Sequence, residues 1–277
     1  MVQEQRWHLA GSAPEVYERY LVPALFGPWA PVLADAAALR AGDRVLDVAC
    51  GTGVVARHVK RQVGPTGTVT GLDLNAGMLA IARSLEPSID WEVGNAEAMP
   101  FANGSFDVVF CQLGLQYFPD RSAALREMRR VLAAGGRLVL LVWRPIQHSP
   151  GYAILADALE RHLGVEAATI MRAPFGLGDP EQLRALMTGA GLGNVEIRSS
   201  VGTVRFTSPE DFLRYQVAGS PLAGPVGQAD DRARQALMQE ASTALQAFAS
   251  TDGFLISNRR PCRSGAEITH DSTGIHH

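Results

Sequence analysis

Short apolar runs alternate with longer amphipathic stretches through the first half of the chain. Such runs are typical of strands buried on both faces, and apolar residues at helical spacing are typical of helices packed on one side. The alternation predicts a doubly wound, Rossmann-like α/β fold, in which a mostly parallel sheet carries helices on both faces. The pattern places strands at residues 44–49, 68–73, 89–93, 106–112 and 137–143, with helices at 54–62, 76–85 and 121–132.

Helical patterns flank this alternating region on both sides. Ser12 to Glu15 form a capping-box sequence with Pro14 in the first turn, which predicts the start of a lead-in helix. Gly135 and Gly136 are a stop signal for the helix before them. Beyond residue 144 the pattern predicts helices at 152–163, 180–190, 209–217 and 230–248, one strand-like segment at 195–206 and a Gly/Pro-rich link at 219–227.

Four regions follow from this pattern. We expect a helical lead-in or lid over residues 1–40, a cofactor-binding Rossmann-like core over 41–145, and a helical cap with the remaining strands over 146–250. Residues 251–277 are polar and predict a tail that is partly disordered. The fold is therefore expected to carry a helical lid or cap elaboration in its second half, which would form the pocket for a substrate.

Composition and charge narrow the class of function. The chain has 25 basic and 28 acidic residues, a formal net charge of −3, and no stripe of Lys and Arg that would follow a phosphate backbone. We therefore expect no nucleic-acid partner. No apolar run approaches the roughly 18 residues that a membrane span requires, which predicts a cytoplasmic protein without one.

Two residue types exclude further chemistry. Lys60 is the only lysine, which argues against Schiff-base and P-loop chemistry and against a Tyr-x-x-x-Lys pair. The three cysteines, Cys50, Cys111 and Cys262, are an odd number without metal-ligand spacing. They are interpreted as reduced thiols, and no metal site is predicted.

The segment Asp47 to Gly53 joins the first strand to the following helix. Small residues at positions 49, 51 and 53 would let the backbone approach a ligand closely. Residues 51–56 also match the G-x-G-x-x-G/A dinucleotide pattern, so this loop alone does not separate S-adenosylmethionine from NAD. Asp73, at the end of the second strand, is placed to accept both hydroxyls of an adenosine ribose.

Five motifs in order carry a family resemblance: Val45 to Gly53, Leu72 to Leu74, Asn95 to Phe101, Ser105 to Val109, and Arg130 to Arg137. Together they closely resemble class I S-adenosylmethionine-dependent methyltransferases, in the type 11 group that contains the ubiquinone and menaquinone C-methyltransferases. The resemblance covers roughly residues 40 to 145. It implies a methyltransferase whose cofactor is S-adenosylmethionine and whose acceptor is a small molecule, apolar or aromatic, methylated by in-line displacement.

The resemblance also implies roles for individual residues. Leu74 would pack on adenine, Ala96 would donate its backbone N–H to the ring, and Asn95 would accept from the exocyclic amine, where the family usually has Asp. Gln112 would border the sulfonium. The cofactor-binding residues implied in this way are Asp47, Ala49, Gly51, Thr52, Gly53, Asp73, Leu74, Asn95, Ala96, Glu97 and Gln112. Relatives often close the sheet with an antiparallel strand, and residues 252–262 offer only a short apolar run for it.

Ligands in this architecture lie beyond the carboxyl ends of the strands, which selects candidates for an acceptor pocket. They are Tyr17, Tyr20, Gln116, Tyr117 and Trp143, although aromatic residues on a helix are equally consistent with core packing. His148 is the candidate general base, with an ordinary surface histidine as the alternative.

Two other functions remain open at this point. One is an NAD(P)-dependent oxidoreductase, which Gly51 to Ala56 and Asp73 would suit. The other is a protein that binds S-adenosylmethionine without transferring a methyl group, because a fold can be reused for other chemistry.

Overall fold

The computed structural model describes residues 12–250, 253–256 and 265–272. Residues 1–11 and Cys262 lie outside the described residues. The strands are β1 Arg44–Val48, β2 Thr68–Asp73, β3 Asp90–Val93, β4 Phe106–Gln112, β5 Leu132–Trp143, β6 Glu196–Val201, β7 Val204–Phe206, β8 Ala249–Ser250, β9 Gly253–Ile256 and β10 Gly265–Ser272. The helices are α1 Ala13–Val16, α2 Ala30–Ala37, α3 Val54–Lys60, α4 Ala76–Leu85, α5 Arg121–Val131, α6 Pro150–Leu163, α7 Val165–Arg172, α8 Pro180–Gly189, α9 Pro209–Ala218, α10 Ala223–Gln228 and α11 Asp231–Leu245.

The main sheet has seven strands in the order β3-β2-β1-β4-β5-β10-β6. Strands β1 to β5 are parallel, and β10 runs antiparallel to both β5 and β6. The doubly wound, Rossmann-like prediction is confirmed. The strand order reverses direction between β1 and β4, and open α/β sheets bind their ligands at such a reversal.

Alternating side chains of the central strands supply two apolar layers. Val45, Val108 and Val139 belong to the layer on one face. Leu33 and residues of α6, α7, α9 and α11, which we call the lid helices, belong to the same layer. The neighbouring positions, such as Leu46 and Val109, belong to the layer on the other face. All of these strand residues are fully buried. This two-sided burial fixes the register of the strands, because a shift by one residue would exchange the faces.

Several helices are capped at their N-termini by a side chain that accepts hydrogen bonds from backbone N–H groups of the first turn. Asn75 Oδ1 accepts from the backbone N–H groups of Gly77 and Met78 at the start of α4. Asp120 Oδ1 accepts from Ala123 N–H at 2.8 Å at the start of α5. Asp179, Ser208 and Asp230 do the same for α8, α9 and α11.

The lead-in helix differs from its prediction in two respects. Ser12 precedes α1, but its side chain makes no capping hydrogen bond, so the capping box does not form. From Tyr17 to Phe26 the chain winds as a π-helix, with Gly27 N–H donating to the carbonyl of Val22, five residues back. Pro23 lies inside this segment and has no N–H to donate. Pi-helical turns occur often at functional sites.

The helix stop predicted at Gly135 and Gly136 was wrong. Helix α5 ends at Val131, and both glycines lie inside β5, which begins at Leu132. The pairing register between β4 and β5 shifts from Phe106↔Leu132 to Val108↔Arg137, so the extra residues form an irregularity. Gly135 has φ +75°, the left-handed conformation that such irregularities use and that glycine adopts without strain.

The second half is more finely divided than its sequence pattern predicted. The single segment predicted at 195–206 is two strands in different sheets, because β6 joins the main sheet while β7 pairs with β9. Helix α7 was not predicted, and α10 occupies much of the predicted link at 219–227.

The polar tail contains strands that the sequence did not predict. β10 inserts between β5 and β6, with His270 opposite Val139 on one side and Glu196 on the other. The apolar run of residues 253–256 forms β9 in the small sheet β7-β9-β8 and takes no part in closing the main one.

Within the part of the chain that the structure describes, no helix is both long enough and apolar enough to cross a bilayer.

Candidate active site

A cavity of about 290 Å³ opens at the carboxyl ends of the parallel strands, where the strand order reverses. Its volume is close to the lower end of the range for small-molecule sites, roughly 300–1,000 Å³. The π-helical lead-in covers one side through Tyr17, Leu21 and Leu25, and lid residues after β5 cover another. The cavity therefore lies where both the fold and the sequence predicted a ligand.

The loop after β1 forms part of the cavity wall. Ala49 and Gly51 line the cavity and have φ of 54° and 57°. Gly53 does not line it: a Cβ built there would lie 2.1 Å from Cη2 of Trp91. The close approach that requires glycine at position 53 is therefore made by an indole ring, whereas at positions 49 and 51 the backbone faces the cavity.

Asp73 is held at the end of β2 by two backbone donors. Its Oδ2 accepts from Gly51 N–H at 2.8 Å, and its Oδ1 accepts from Asn75 N–H at 2.8 Å. Asn75, rather than Asp73, caps α4, so the cap does not account for the aspartate. The carboxylate lines the cavity in an orientation fixed by the loop opposite.

Asp47 lies behind the cavity wall and is 1% exposed. Burial raises its pKa to about 7, although Ala56 N–H, which donates to its Oδ2 at 3.0 Å, acts in the opposite direction. Thr52 is also 1% exposed, and its hydroxyl has no partner among the described residues. Neither side chain lines the cavity, so a cofactor role for them would be indirect.

The residues predicted to bind adenine meet at one end of the cavity. Leu74 is 44% exposed and lines it, as do Asn95, Ala96 and Glu97. Asn95 Oδ1 accepts from the backbone N–H of Glu97 at 2.9 Å, which fixes the turn after β3. Glu97 Oε1 in turn accepts from Asp120 N–H. This end combines an exposed apolar surface with backbone polar groups, which suits a planar heteroaromatic ring.

Tyr17 and Gln112 also line the cavity. The Tyr17 ring stacks on Phe26 at a centroid distance of 4.8 Å, and burial raises the pKa of its phenol well above the ordinary value. Gln112 donates from Nε2 to the carbonyl of Phe26, while its Oε1 is buried with no partner among the described residues. An unpartnered buried acceptor on a cavity wall marks a place where a ligand donor would be stabilised.

The opposite end of the cavity is apolar and aromatic. Of the predicted acceptor residues, Tyr17, Tyr117 and Trp143 line the cavity. Residues from the lid that sequence reasoning missed complete this end: Tyr152, Ile170, Met171, Pro174, Phe175, Gln216 and Leu222. Nothing in their sequence pattern separates them from ordinary core residues of amphipathic helices.

Tyr20 and Gln116 lie outside the cavity lining. The Tyr20 ring stacks on Tyr215 at 3.8 Å. Gln116 is 5% exposed and donates from Nε2 to the carbonyl of Leu113 at 2.9 Å. Their packing roles, rather than substrate contacts, account for their positions.

His148 also lies outside the lining. Its Nε2 lies 3.2 Å from a guanidinium nitrogen of Arg144, and partial burial together with that charge lowers its pKa. Its role as a base stays a prediction, and its position outside the cavity lining does not favour it.

The two described cysteines are buried in different apolar layers, Cys50 on one face of the sheet and Cys111 on the other. Burial raises the pKa of both thiols, that of Cys111 to about 12, so they are protonated packing residues at neutral pH. Among the described residues, no group of three or more His, Cys, Asp and Glu is arranged to hold a metal ion.

Comparison with known proteins identifies the family of the chain. A family model described as a methyltransferase domain matches residues 46–140. The ubiquinone/menaquinone biosynthesis C-methyltransferase of Hahella chejuensis is 34% identical over 195 residues, which cover 59% of this chain and 72% of that protein. The enzyme of the same name from Chromobacterium violaceum is 32% identical over 218 residues, covering 72% and 86%.

Solved structures share the fold. Phosphoethanolamine N-methyltransferase 2 of Haemonchus contortus, in complex with S-adenosylmethionine, has a TM-score of 0.58 at 17% identity and covers 95% of this chain and 56% of its own. The cofactor prediction is confirmed, and the oxidoreductase alternative is not favoured. The chain belongs to the class I S-adenosylmethionine-dependent methyltransferases, in the family of the ubiquinone/menaquinone biosynthesis C-methyltransferases.

Proposed function

We propose that this methyltransferase acts on a small apolar or aromatic acceptor bound at the lid end of the cavity, with the cofactor at the strand end. The main support is that one continuous cavity has two chemically different ends. Asp73 and Glu97 supply carboxylates at the strand end, while Trp143, Phe175 and Met171 supply apolar surface at the lid end. We propose that residues 41–145 form the core that binds the cofactor and residues 146–250 the cap over the acceptor, with Trp143 of the core also lining the lid end.

The strand end fits S-adenosylmethionine. Asp73 would accept the ribose hydroxyls, Leu74 would pack against adenine, and the Ala96 N–H and Asn95 amide would meet its polar edge. Ala49 and Gly51 would border the methionine portion, and the unpartnered Oε1 of Gln112 would accept a ligand donor. Asp47, Thr52 and Gly53 would not contact the cofactor. They would contribute indirectly, by holding the loop after β1 in its conformation.

When bound, the cofactor supplies a methyl group already activated by its sulfonium. The protein's contribution is therefore to align the acceptor and exclude water, which accounts for much of the acceleration in such reactions. Trp143 and Tyr152 are each buried, and the Phe175 ring lies 6.3 Å from Trp143 and 5.4 Å from Tyr152. Rings held in this way form a rigid wall against which a planar acceptor would be positioned.

The names of the two similar enzymes refer to ubiquinone and menaquinone biosynthesis. We therefore include an aromatic ring carbon among the proposed nucleophiles. Two further predictions from the sequence remain part of the proposal: the acceptor is not a nucleic acid, and the protein acts in the cytoplasm.

Calorimetric titration of the purified protein with S-adenosylmethionine, S-adenosylhomocysteine and NAD(H) tests the cofactor without knowledge of the acceptor. We expect the two adenosyl ligands to bind and NAD(H) not to bind. A panel of phenols, quinols and aliphatic acceptors, each incubated with radiolabelled S-adenosylmethionine, then tests the acceptor. Binding without transfer to any apolar or aromatic compound, together with transfer to charged aliphatic ones, would contradict the proposed acceptor class.

A further inference from the structure

Two uncharged polar side chains from different lid helices meet in the apolar end of the cavity. Gln216 on α9 donates from Nε2 to the hydroxyl of Tyr152 on α6 at 2.9 Å, across 64 residues of sequence. Both residues line the cavity, and they are 4% and 6% exposed. We call these two residues the Tyr152–Gln216 pair.

The surroundings hold this pair in place. The Tyr152 ring packs against Phe175 at 5.4 Å and edge-on against Phe212 at 5.3 Å. Phe212 and Gln216 are four residues apart on α9 and both buried, so they share one face of that helix. The polar atoms of the pair are therefore presented at a fixed position in the cavity wall.

Burying a polar group is unfavourable unless it is hydrogen-bonded, and an apolar pair of the same shape would fill this wall without that penalty. The bond between Tyr152 and Gln216 satisfies only part of their capacity. A glutamine side chain has one acceptor oxygen and two N–H donors, and a phenol has its own O–H proton. Burial raises the pKa of Tyr152 well above its ordinary value, so this proton is retained.

We infer that the Tyr152–Gln216 pair binds a neutral hydroxyl group carried by the acceptor, donating from the Tyr152 O–H and accepting at Gln216 Oε1. The inference rests on the proposed function and narrows its acceptor to an apolar or aromatic compound with such a hydroxyl. A neutral hydroxyl both donates and accepts, which matches the pair. Among the described residues that line the cavity there is no Lys, Arg or His to pair with a carboxylate. The carboxylates that could pair with an ammonium, Asp73 and Glu97, lie at the strand end.

The pair also has a limited set of polar neighbours. Tyr117 and Ser220 contribute the other hydroxyls to this part of the lining, and Ser220 Oγ accepts from the backbone N–H of Leu222 at 3.3 Å. The Tyr152–Gln216 pair thus offers the combination of donor and acceptor that a site for a hydroxyl group needs.

The test measures binding of three probes that differ in one group: 4-ethylphenol, ethylbenzene and 4-ethylbenzoate. Each is titrated into the full chain by ligand-observed NMR, with and without saturating S-adenosylhomocysteine. We expect 4-ethylphenol to bind about 5- to 10-fold more tightly than ethylbenzene, which corresponds to one or two neutral hydrogen bonds. 4-Ethylbenzoate should bind more weakly than 4-ethylphenol.

The decisive variant is Tyr152→Phe combined with Gln216→Leu, which keeps the shape of the wall and removes both polar groups. It should bind 4-ethylphenol and ethylbenzene equally, with unchanged affinity for S-adenosylhomocysteine. Tyr152→Phe alone should lose part of the preference for 4-ethylphenol. This single variant tests the inference even if the double variant does not fold. Tyr20→Phe combined with Gln182→Leu makes the same chemical changes outside the cavity and should retain the full preference.

Equal binding of the phenol and the hydrocarbon by the unaltered protein would overturn the inference, as would no saturable binding of either. A preference that survives in the double variant, or tighter binding of the benzoate, would also overturn it. Failure of S-adenosylhomocysteine to bind would instead contradict the proposed function. The probe titrations performed without S-adenosylhomocysteine test the Tyr152–Gln216 pair independently of that result.

Discussion

Gln112 Nε2 donates to the carbonyl oxygen of Phe26 at 2.9 Å and so ties the end of β4 to the end of the π-helical lead-in. A second tie lies nearer the start of that segment, where Glu18 pairs with Arg57 of α3 at 2.8 Å. Both partners of this ion pair are mostly buried, so water screens it less than a surface pair. The lead-in is thereby held over the cavity at two points.

Gln112→Leu should loosen this cover. It removes the hydrogen bond to Phe26 and also the Oε1 acceptor proposed for the cofactor, which predicts an affinity for S-adenosylhomocysteine weaker by at least about 3- to 10-fold, on the order of 1 kcal/mol. Hydrogen exchange at the amides of residues 17–26 should become faster. Glu18→Ala breaks the ion pair with Arg57 outside the cavity lining, so it should weaken the affinity and speed the exchange through the lead-in alone. Gln62→Leu, at an exposed position just after α3, is the control. Unchanged exchange in both test variants would show that the ties do not hold the lead-in.

Asp73→Ala should weaken binding of S-adenosylmethionine by at least about 10-fold, because hydrogen bonds to a charged group contribute roughly 1.5–3 kcal/mol each. Asp73→Asn should lie between the alanine variant and the unaltered protein. Asp90→Ala, which removes an exposed carboxylate from the neighbouring strand, should have no effect. Calorimetry measures all three, and unchanged affinity in Asp73→Ala would place the cofactor elsewhere.

Asp47 should make stability depend on pH. Its carboxyl is harder to ionise in the folded protein, with a pKa of about 7, than in the unfolded chain, where it is near 3.8. Its stabilising contribution is therefore complete below about pH 4 and is lost as the pH rises through 7. Asp47→Asn keeps an acceptor for Ala56 N–H and removes the buried charge.

Urea unfolding at pH 5 and pH 8 measures this effect. The unaltered protein should lose about 3 kcal/mol more than Asp47→Asn between the two values, since a tenfold change in proton affinity corresponds to about 1.4 kcal/mol. Asp90→Asn serves as the exposed control. Equal pH dependence in the unaltered protein and Asp47→Asn would rule out a buried protonated carboxyl.

Gly53→Ala should destabilise the protein through two separate effects. The residue has φ +83°, and its new Cβ would clash with the ring of Trp91. Gly64→Ala isolates the first effect, because Gly64 has φ +70° and nothing within 4 Å of its Cβ position. We expect about 1–2 kcal/mol for Gly64→Ala and about 1–3 kcal/mol more for Gly53→Ala. Denaturant unfolding distinguishes them, and equal losses would mean that Trp91 moves aside freely.

The sequence predicted the parallel half of the fold well because its signals are local. Strands β2 and β4 end at Asp73 and Gln112, and β1 and β3 are followed within three residues by Gly51 and Asn95. The carboxyl ends of neighbouring parallel strands meet at one edge of the sheet. Gly51, Asp73 and Asn95 were found in this way, and all three line the cavity. Gly53 was singled out for the same reason, but its neighbour is Trp91, which no local pattern identifies.

The lid end could not be predicted from the same signals. Tyr152 and Gln216 become neighbours because α6 and α9 both pack against α11. An amphipathic pattern predicts that a helix face is buried, but it does not predict which residues that face contacts. The β10 strand has few apolar residues, and its pairing with β5 and β6 comes from the backbone. Tyr20 is the reverse case: the sequence predicted that it lines the acceptor pocket, whereas its ring stacks on Tyr215 outside the cavity lining.

The position of β10 between β5 and β6 has a consequence for how the chain is assembled during synthesis. All five parallel strands lie within residues 44–143, so the half of the sheet that holds Asp73 is contiguous and can pair as soon as those residues leave the ribosome. Strand β6 has its partner in this sheet only after residues 265–272 are made. Pairings so distant in sequence form slowly, so the cofactor half would be the early product and the far edge of the sheet the late one.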